Sequence, residues 1–62
     1  MIEWKRFDAG YYESVDGRFH ISHVWDRING NHWEIFDSLN SRKCTGYSLK
    51  HCKQMAENDL VV

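Results

Sequence analysis

The chain has 62 residues, with three each of tryptophan, tyrosine and phenylalanine and no proline, which predicts one small domain over 1–62 with a thin, aromatic core. Eight basic and nine acidic residues give a net charge of −1, which excludes a strongly basic nucleic-acid binder and an acidic nucleic-acid mimic. Without an apolar run of membrane-spanning length or a secretory signal pattern, we expect a cytoplasmic protein with no membrane partner.

The first half of the chain predicts a hairpin preceded by a short extended segment. Residues 2–7 form either an edge strand or an extended arm. Strands are expected over 11–15 and 18–25, because both segments are rich in aromatic and β-branched residues and flank Asp16-Gly17. That dipeptide is typical of a two-residue type I′ turn.

The turn fixes which side chains share a face of the sheet. Glu13 is expected opposite His20, and Tyr12 opposite Ile21. Alternation along the strands then gives a core face, whose members are Tyr12, Ser14, Phe19, Ile21, His23 and Trp25. On this face we expect Ser14 to lie under a helix and His23 to be partly buried at the end of the sheet.

A second turn near Asn29-Gly30-Asn31 leads into a strand over 32–37. A two-residue turn at Asn29-Gly30 would place Trp33 and Ile35 on the wrong face. A three-residue loop, 29–31, puts Trp25 opposite Ile35 and keeps the apolar side chains together. We therefore favour the longer loop, because burial determines register more strongly than a dipeptide does.

The second half predicts a polar connection over 38–46 and then a helix. The connection includes a short strand at 43–45 as an alternative. Ser48 is expected to cap a helix over 49–58 that buries Leu49, Cys52 and Ala56. The predicted fold class is α+β, an antiparallel meander of three or four strands packed against one C-terminal helix.

Three segments carry a resemblance to known proteins: Tyr12-x-Ser14-x-Asp16-Gly17-Arg18-Phe19-x-Ile21, Trp33-x-x-Phe36-Asp37, and Ser48-Leu49-Lys50-x-Cys52-Lys53-x-x-Ala56-Glu57. Over 11–57 the chain resembles small uncharacterised proteins of tailed bacteriophages and prophages, which implies a phage origin and assigns no activity. The order of elements also resembles three-stranded-sheet DNA-binding modules, such as the arm-binding domain of tyrosine recombinases and the plant ethylene-response-factor domain. The sequence departs from those modules by placing Glu13 and Glu34 on the exposed sheet face.

The other face of the predicted sheet is the expected contact surface for a partner protein. It interleaves aromatic residues with arginine and histidine, a composition typical of interface cores. The predicted partner-binding residues are Tyr11, Arg18, His20, His32 and Phe36. The leading hypothesis is thus a non-enzymatic phage-type accessory protein that binds a host or phage protein, with counteraction of a host defence or regulation of host machinery as compatible roles.

Two other partners are compatible with the sequence. A sheet-based DNA-binding module is the alternative function, and its phosphate contacts would come from a basic cluster at Arg42, Lys43, Lys50 and Lys53. A homodimer through an edge strand is the third reading.

No catalytic or cofactor-binding residues are assigned. His20 and His23 point to opposite faces of a strand, and no metal-ligand spacing is present, so we expect no metal site. Cys44 and Cys52 are expected to be free thiols, because cytosolic disulfides are rare.

Overall fold

A computed structural model describes residues 2–28, 30–58 and 60, so the ends of the predicted domain at 1 and 62 lie outside the described residues. The described chain forms strands β1 (Trp4–Asp8), β2 (Tyr11–Ser14), β3 (Phe19–Val24), β4 (His32–Asp37) and β5 (Arg42–Gly46), followed by helix α1 (Leu49–Glu57). The strands build a single antiparallel sheet in chain order. The predicted α+β meander with a C-terminal helix is confirmed, with residues 4–8 paired as an edge strand and β5 as an additional strand.

The β2–β3 hairpin has the predicted register but a different turn. Glu13 pairs with His20 and Tyr12 with Ile21, as expected. The two-residue type I′ turn is wrong, because Gly17 has a φ of +80° and Asp16 is not in the left-handed region. Instead, the amide of Gly17 donates to the Ser14 carbonyl oxygen at 2.9 Å, and four residues, 15–18, connect the strands.

Ser14 closes this turn with its side chain. Its hydroxyl donates to Asp16 Oδ1 at 2.6 Å and accepts the Phe19 amide at 2.8 Å. The predicted position of Ser14 under the helix is wrong, because α1 packs over β3, β4 and β5. The burial of Ser14 is explained by a hydrogen bond, because its hydroxyl oxygen accepts from the Phe19 amide, which would otherwise lack a partner.

The β3–β4 register differs from the predicted one by four residues. Ile35 pairs with Ile21, and Trp33 pairs with His23. The predicted pairing of Trp25 with Ile35 is therefore wrong. The predicted three-residue loop is wrong as well; its first residue, Asn29, lies outside the described residues. The chain leaves β3 after Val24 and returns at His32 through a longer connection. A shift of four residues preserves side-chain parity, so the predicted core face is nevertheless correct for the residues within the strands.

The core lies between the sheet and α1. Ser48 caps the helix as predicted, with its Oγ accepting the His51 amide, and Asn58 is the C-cap. The helix buries Cys52, Met55 and Ala56. Against them the sheet contributes Phe19, Ile21 and Ile35, and Leu60 completes the buried cluster. The nine-residue helix is too short to be stable alone, so this shared core holds it in place.

β5 approaches the helix closely because its inward-facing side chains are small. Gly46 is buried, and a Cβ atom at this position would collide with Cys52 Sγ and lie 3.1 Å from Met55 Cε. Cys44, two residues earlier, is half-buried against the same cluster. The small side chains explain how a strand without an apolar alternation can belong to the sheet. Among the described residues, no helix is long and apolar enough to cross a bilayer.

Candidate functional site

The face of the sheet opposite α1, called here the outer face, is not covered by any described element. Alternation along the paired strands assigns its side chains. Four of the five predicted partner-binding residues lie on this face: Tyr11, His20, His32 and Phe36. The structure therefore brings together most of the predicted site.

An aromatic row crosses the outer face from β1 to β4. Its members are Phe7, Tyr11, His20 and Phe36, with successive ring centroids 6.0, 6.4 and 6.3 Å apart. Phe7 is 60% exposed and Phe36 is 40% exposed, so the two ends of the aromatic row offer apolar surface to solvent. The rings at its centre are half-buried.

Phe7 is the member of the aromatic row that sequence reasoning missed. The β1–β2 pairing contains an irregularity between Arg6 and Asp8, and Phe7 is the extra residue there. A bulge of this kind places two residues opposite one, and Phe7 meets Tyr11. Because alternation alone does not reveal a bulge, the sequence gives no direct signal for this placement.

A hydrogen-bonded triad fixes the centre of the aromatic row. The Tyr11 hydroxyl donates to Glu13 Oε2 at 2.6 Å and lies 2.9 Å from His20 Nδ1. Its single hydrogen goes to the carboxylate, so the His20 Nδ1–H donates to the Tyr11 oxygen. The hydrogen bond to Glu13, together with burial and the Glu13 charge, raises the pKa of Tyr11 to about 12. Tyr11 is therefore a rigid neutral contact group and is poorly suited to be a nucleophile.

The charges of the outer face largely neutralise one another. Lys43 Nζ lies 3.0 Å from Glu34 Oε1, and His32 Nε2 lies 3.3 Å from Glu34 Oε2. The hydrogen bond from Lys43 is the main reason that the pKa of Glu34 lies below its usual value. Lys5 and Glu13 face each other in the β1–β2 register and add one charge of each sign. This balance gives the face little attraction for a polyanion.

Arg18 does not belong to the outer face, which corrects one predicted site residue. Its Nε lies 3.0 Å from Asp37 Oδ1 and its Nη2 3.1 Å from Asp37 Oδ2, a bidentate pair. The guanidinium also lies 4.6 Å from the centroid of the buried Phe19 ring. Because Asp37 is completely buried and points to the helix side, the Arg18 side chain follows it and stabilises the fold.

The four residues of the predicted basic cluster are not brought together. Arg42 pairs with Asp37 at 3.0 Å, whereas Lys43 pairs with Glu34 on the outer face. Lys53 lies over the Tyr12 ring on the helix side, 5.3 Å from its centroid. Lys50 is exposed in the first turn of α1. The cluster proposed from sequence proximity is therefore wrong, because its members divide between the two faces of the sheet.

The two cysteines differ in burial. Cys44 and Cys52 are both free thiols. Burial, and secondarily the neighbouring Cys44, raises the pKa of Cys52 to about 11, which suppresses the thiolate needed for attack. A surface depression of about 460 Å³ beside Cys44 is lined by Cys44, Thr45, Gly46, Tyr47, His51 and Met55. In the part of the chain that the structure describes, no three histidine, cysteine or acidic side chains are grouped so as to hold a metal ion.

No protein-family model, curated protein or solved structure gives a significant match to this chain. The function is therefore inferred from the two faces of the sheet and their chemistry.

Proposed function

We propose that this protein is a non-enzymatic binding module whose outer face is the contact surface for a partner protein. The observation that supports the proposal is the aromatic row, in which two rings are exposed and the two between them are joined by hydrogen bonds. Rigid aromatic side chains offer large contact area at little cost in conformational entropy. Interface hot spots are enriched in such residues.

A protein suits this face better than DNA does. A phosphate backbone needs several unneutralised cations, whereas Lys43 is engaged by Glu34, and Glu13 stands at the centre of the face. The sheet-based DNA-binding alternative would place both carboxylates against phosphates. In contrast, a protein interface accommodates a balanced polar rim around an aromatic centre.

We further propose an accessory role, in which the module alters the behaviour of a host or phage protein; the three sequence segments that resemble phage proteins support this role. The cytoplasm remains the expected compartment, and a homodimer remains an alternative use of an edge strand.

A capture experiment with matched variants tests the proposal. The tagged protein is used to capture binders from a lysate of the source cells, with and without nuclease treatment. Phe7→Ala combined with Phe36→Ala removes the two exposed ends of the aromatic row. Leu39→Ala combined with Tyr47→Ala is the control, because it removes two other side chains that are 71% and 91% exposed.

We expect a protein captured by the wild type to be retained by the control and lost from the Phe7/Phe36 variant. Circular dichroism verifies that both variants stay folded. Equal capture by the Phe7/Phe36 variant would show that the outer face is not the contact surface. Nuclease-sensitive capture would instead favour a nucleic acid.

A further inference from the structure

A second aromatic surface lies on the helix side of the sheet, beside α1. Its members, called here the aromatic shelf, are Tyr12, Trp33, His23 and Trp25. The rings follow one another with centroid separations of 6.4, 4.8 and 5.2 Å. Tyr12 and Trp33 pack against the buried cluster, and Lys53 of α1 lies over the Tyr12 ring, so the open part of the shelf is its Trp25 end.

The exposure of the shelf increases along the row. Tyr12, Trp33 and His23 are half-buried, and Trp25 is 77% exposed. Trp25 meets His23 edge-on, at an interplanar angle of 75°. A large apolar ring left open to solvent provides a surface on which another planar group can stack.

Two cations stand beside the shelf without carboxylate partners. Arg6 is exposed and in register with Tyr12, and Lys53 Nζ lies 5.3 Å from the centroid of the Tyr12 ring. Among the described residues, neither forms an ion pair. Glu57, one helical turn after Lys53, directs its carboxylate to the Ile2 amide at 2.9 Å. This arrangement differs from the outer face, where Lys43 is neutralised by Glu34.

We propose that the aromatic shelf binds single-stranded nucleic acid, with bases stacked on Trp25 and Trp33 and the backbone phosphates paired with Arg6 and Lys53. Aromatic rings flanked by cations are the combination that single-strand binding requires, because each base offers a π-face and each linkage a negative charge. A duplex would not fit this mode, since its bases are already stacked on one another. The shelf is separate from the outer face, so a partner protein and a nucleic acid can be bound together.

Fluorescence anisotropy of a labelled oligo(dT) of about eight nucleotides, within the usual range of single-strand sites, tests this inference. Trp25→Ala should weaken binding roughly five- to hundredfold, as expected when one stacked base loses its ring. Tyr47→Ala is the matched control, because Tyr47 is 91% exposed and stacks on His51 outside the shelf. The control should bind as the wild type does.

The dependence on salt separates phosphate contacts from stacking. Two phosphate contacts predict a slope of about −1.4 for the logarithm of the binding constant against that of the salt concentration. Arg6→Gln and Lys53→Gln should each reduce the slope by about 0.7. The proposal is overturned by no binding at low salt, by equal binding of Trp25→Ala and wild type, or by tighter binding of the matching duplex. It is equally overturned if Trp25→Ala leaves oligonucleotide binding unchanged and light scattering shows that the substitution changes the oligomeric state.

Discussion

Replacement of Asp37 by asparagine should be among the most destabilising single changes in this protein. Asp37 is completely buried, and its carboxylate accepts five hydrogen bonds. Three of them come from the guanidinium groups of Arg18 and Arg42. Asparagine has nearly the same shape, so the change tests the charge and the acceptor geometry without opening a cavity.

The expected loss follows from these contacts. The amide group of asparagine would turn one acceptor oxygen into a donor that faces other donors, and both guanidinium groups would lose their counter-charge. Breaking a buried ion pair costs about 3–5 kcal/mol. The Arg18 and Arg42 side chains are 27% and 42% exposed, so water compensates in part, and we expect a loss near the lower limit, ~3 kcal/mol. A chain of this length has a total stability of roughly 3–9 kcal/mol.

Urea unfolding followed by tryptophan fluorescence measures this loss, with Asp8→Asn as a control for an exposed carboxylate. The control should change stability by less than ~0.5 kcal/mol. Hydrogen bonds from Arg18 hold the pKa of Asp37 well below its usual value in the folded state. The contribution of Asp37 to the free energy of unfolding is therefore complete above the unfolded-state pKa of about 3.9. It declines as the pH falls toward the pKa of the folded state.

The difference in the free energy of unfolding between wild type and Asp37→Asn should accordingly become smaller as the pH is lowered from about 5. Should the variant be too unstable to purify, the wild type alone still shows the predicted loss of stability over this pH range. A difference below ~1 kcal/mol at neutral pH, or one that does not change with pH, would refute the reasoning about this carboxylate.

Three further predictions concern the helix and its contact with β5. Gly46→Ala should destabilise by about 1–3 kcal/mol in urea unfolding, because the added methyl group meets Cys52 Sγ; a neutral effect would mean that α1 can move away. Ser48→Ala should cost about 1 kcal/mol by removing the acceptor of the His51 amide, measured by thermal unfolding, and unchanged stability would contradict the cap. Ellman's reagent at pH 8 should modify Cys44 before Cys52, whose pKa is raised to about 11, and the reverse order by mass spectrometry would refute the assigned burial.

The faces of the sheet could be predicted from the sequence because side-chain parity tolerates large errors in register. The β3–β4 pairing differs from expectation by an even number of residues, so Trp33 and Ile35 still point to the core. The turns were less predictable, because they depend on particular hydrogen bonds. Ser14 replaces the backbone geometry of a two-residue turn with its own side-chain contacts, which no dipeptide rule includes.

β5 and Arg18 show where sequence patterns were insufficient. β5 lacks an apolar alternation because its inward residues, Cys44 and Gly46, must be small to admit the helix. Alternation of side chains along the strand predicts Arg18 on the outer face. Its side chain instead pairs with Asp37, which is 19 residues away in sequence. Contacts between distant residues of this kind require the folded structure, because neither spacing nor composition encodes them.

Photo-crosslinking from the outer face is the most direct test of the proposed contact surface. A benzophenone analogue of phenylalanine at position 36 places the reactive group at the exposed end of the aromatic row, and the same analogue at position 47 is the control. We expect position 36 to yield a specific crosslinked protein in the source-cell lysate and position 47 to yield none of that species. Crosslinking of the same protein from position 47 and not from position 36 would contradict the assignment of the outer face as the binding surface.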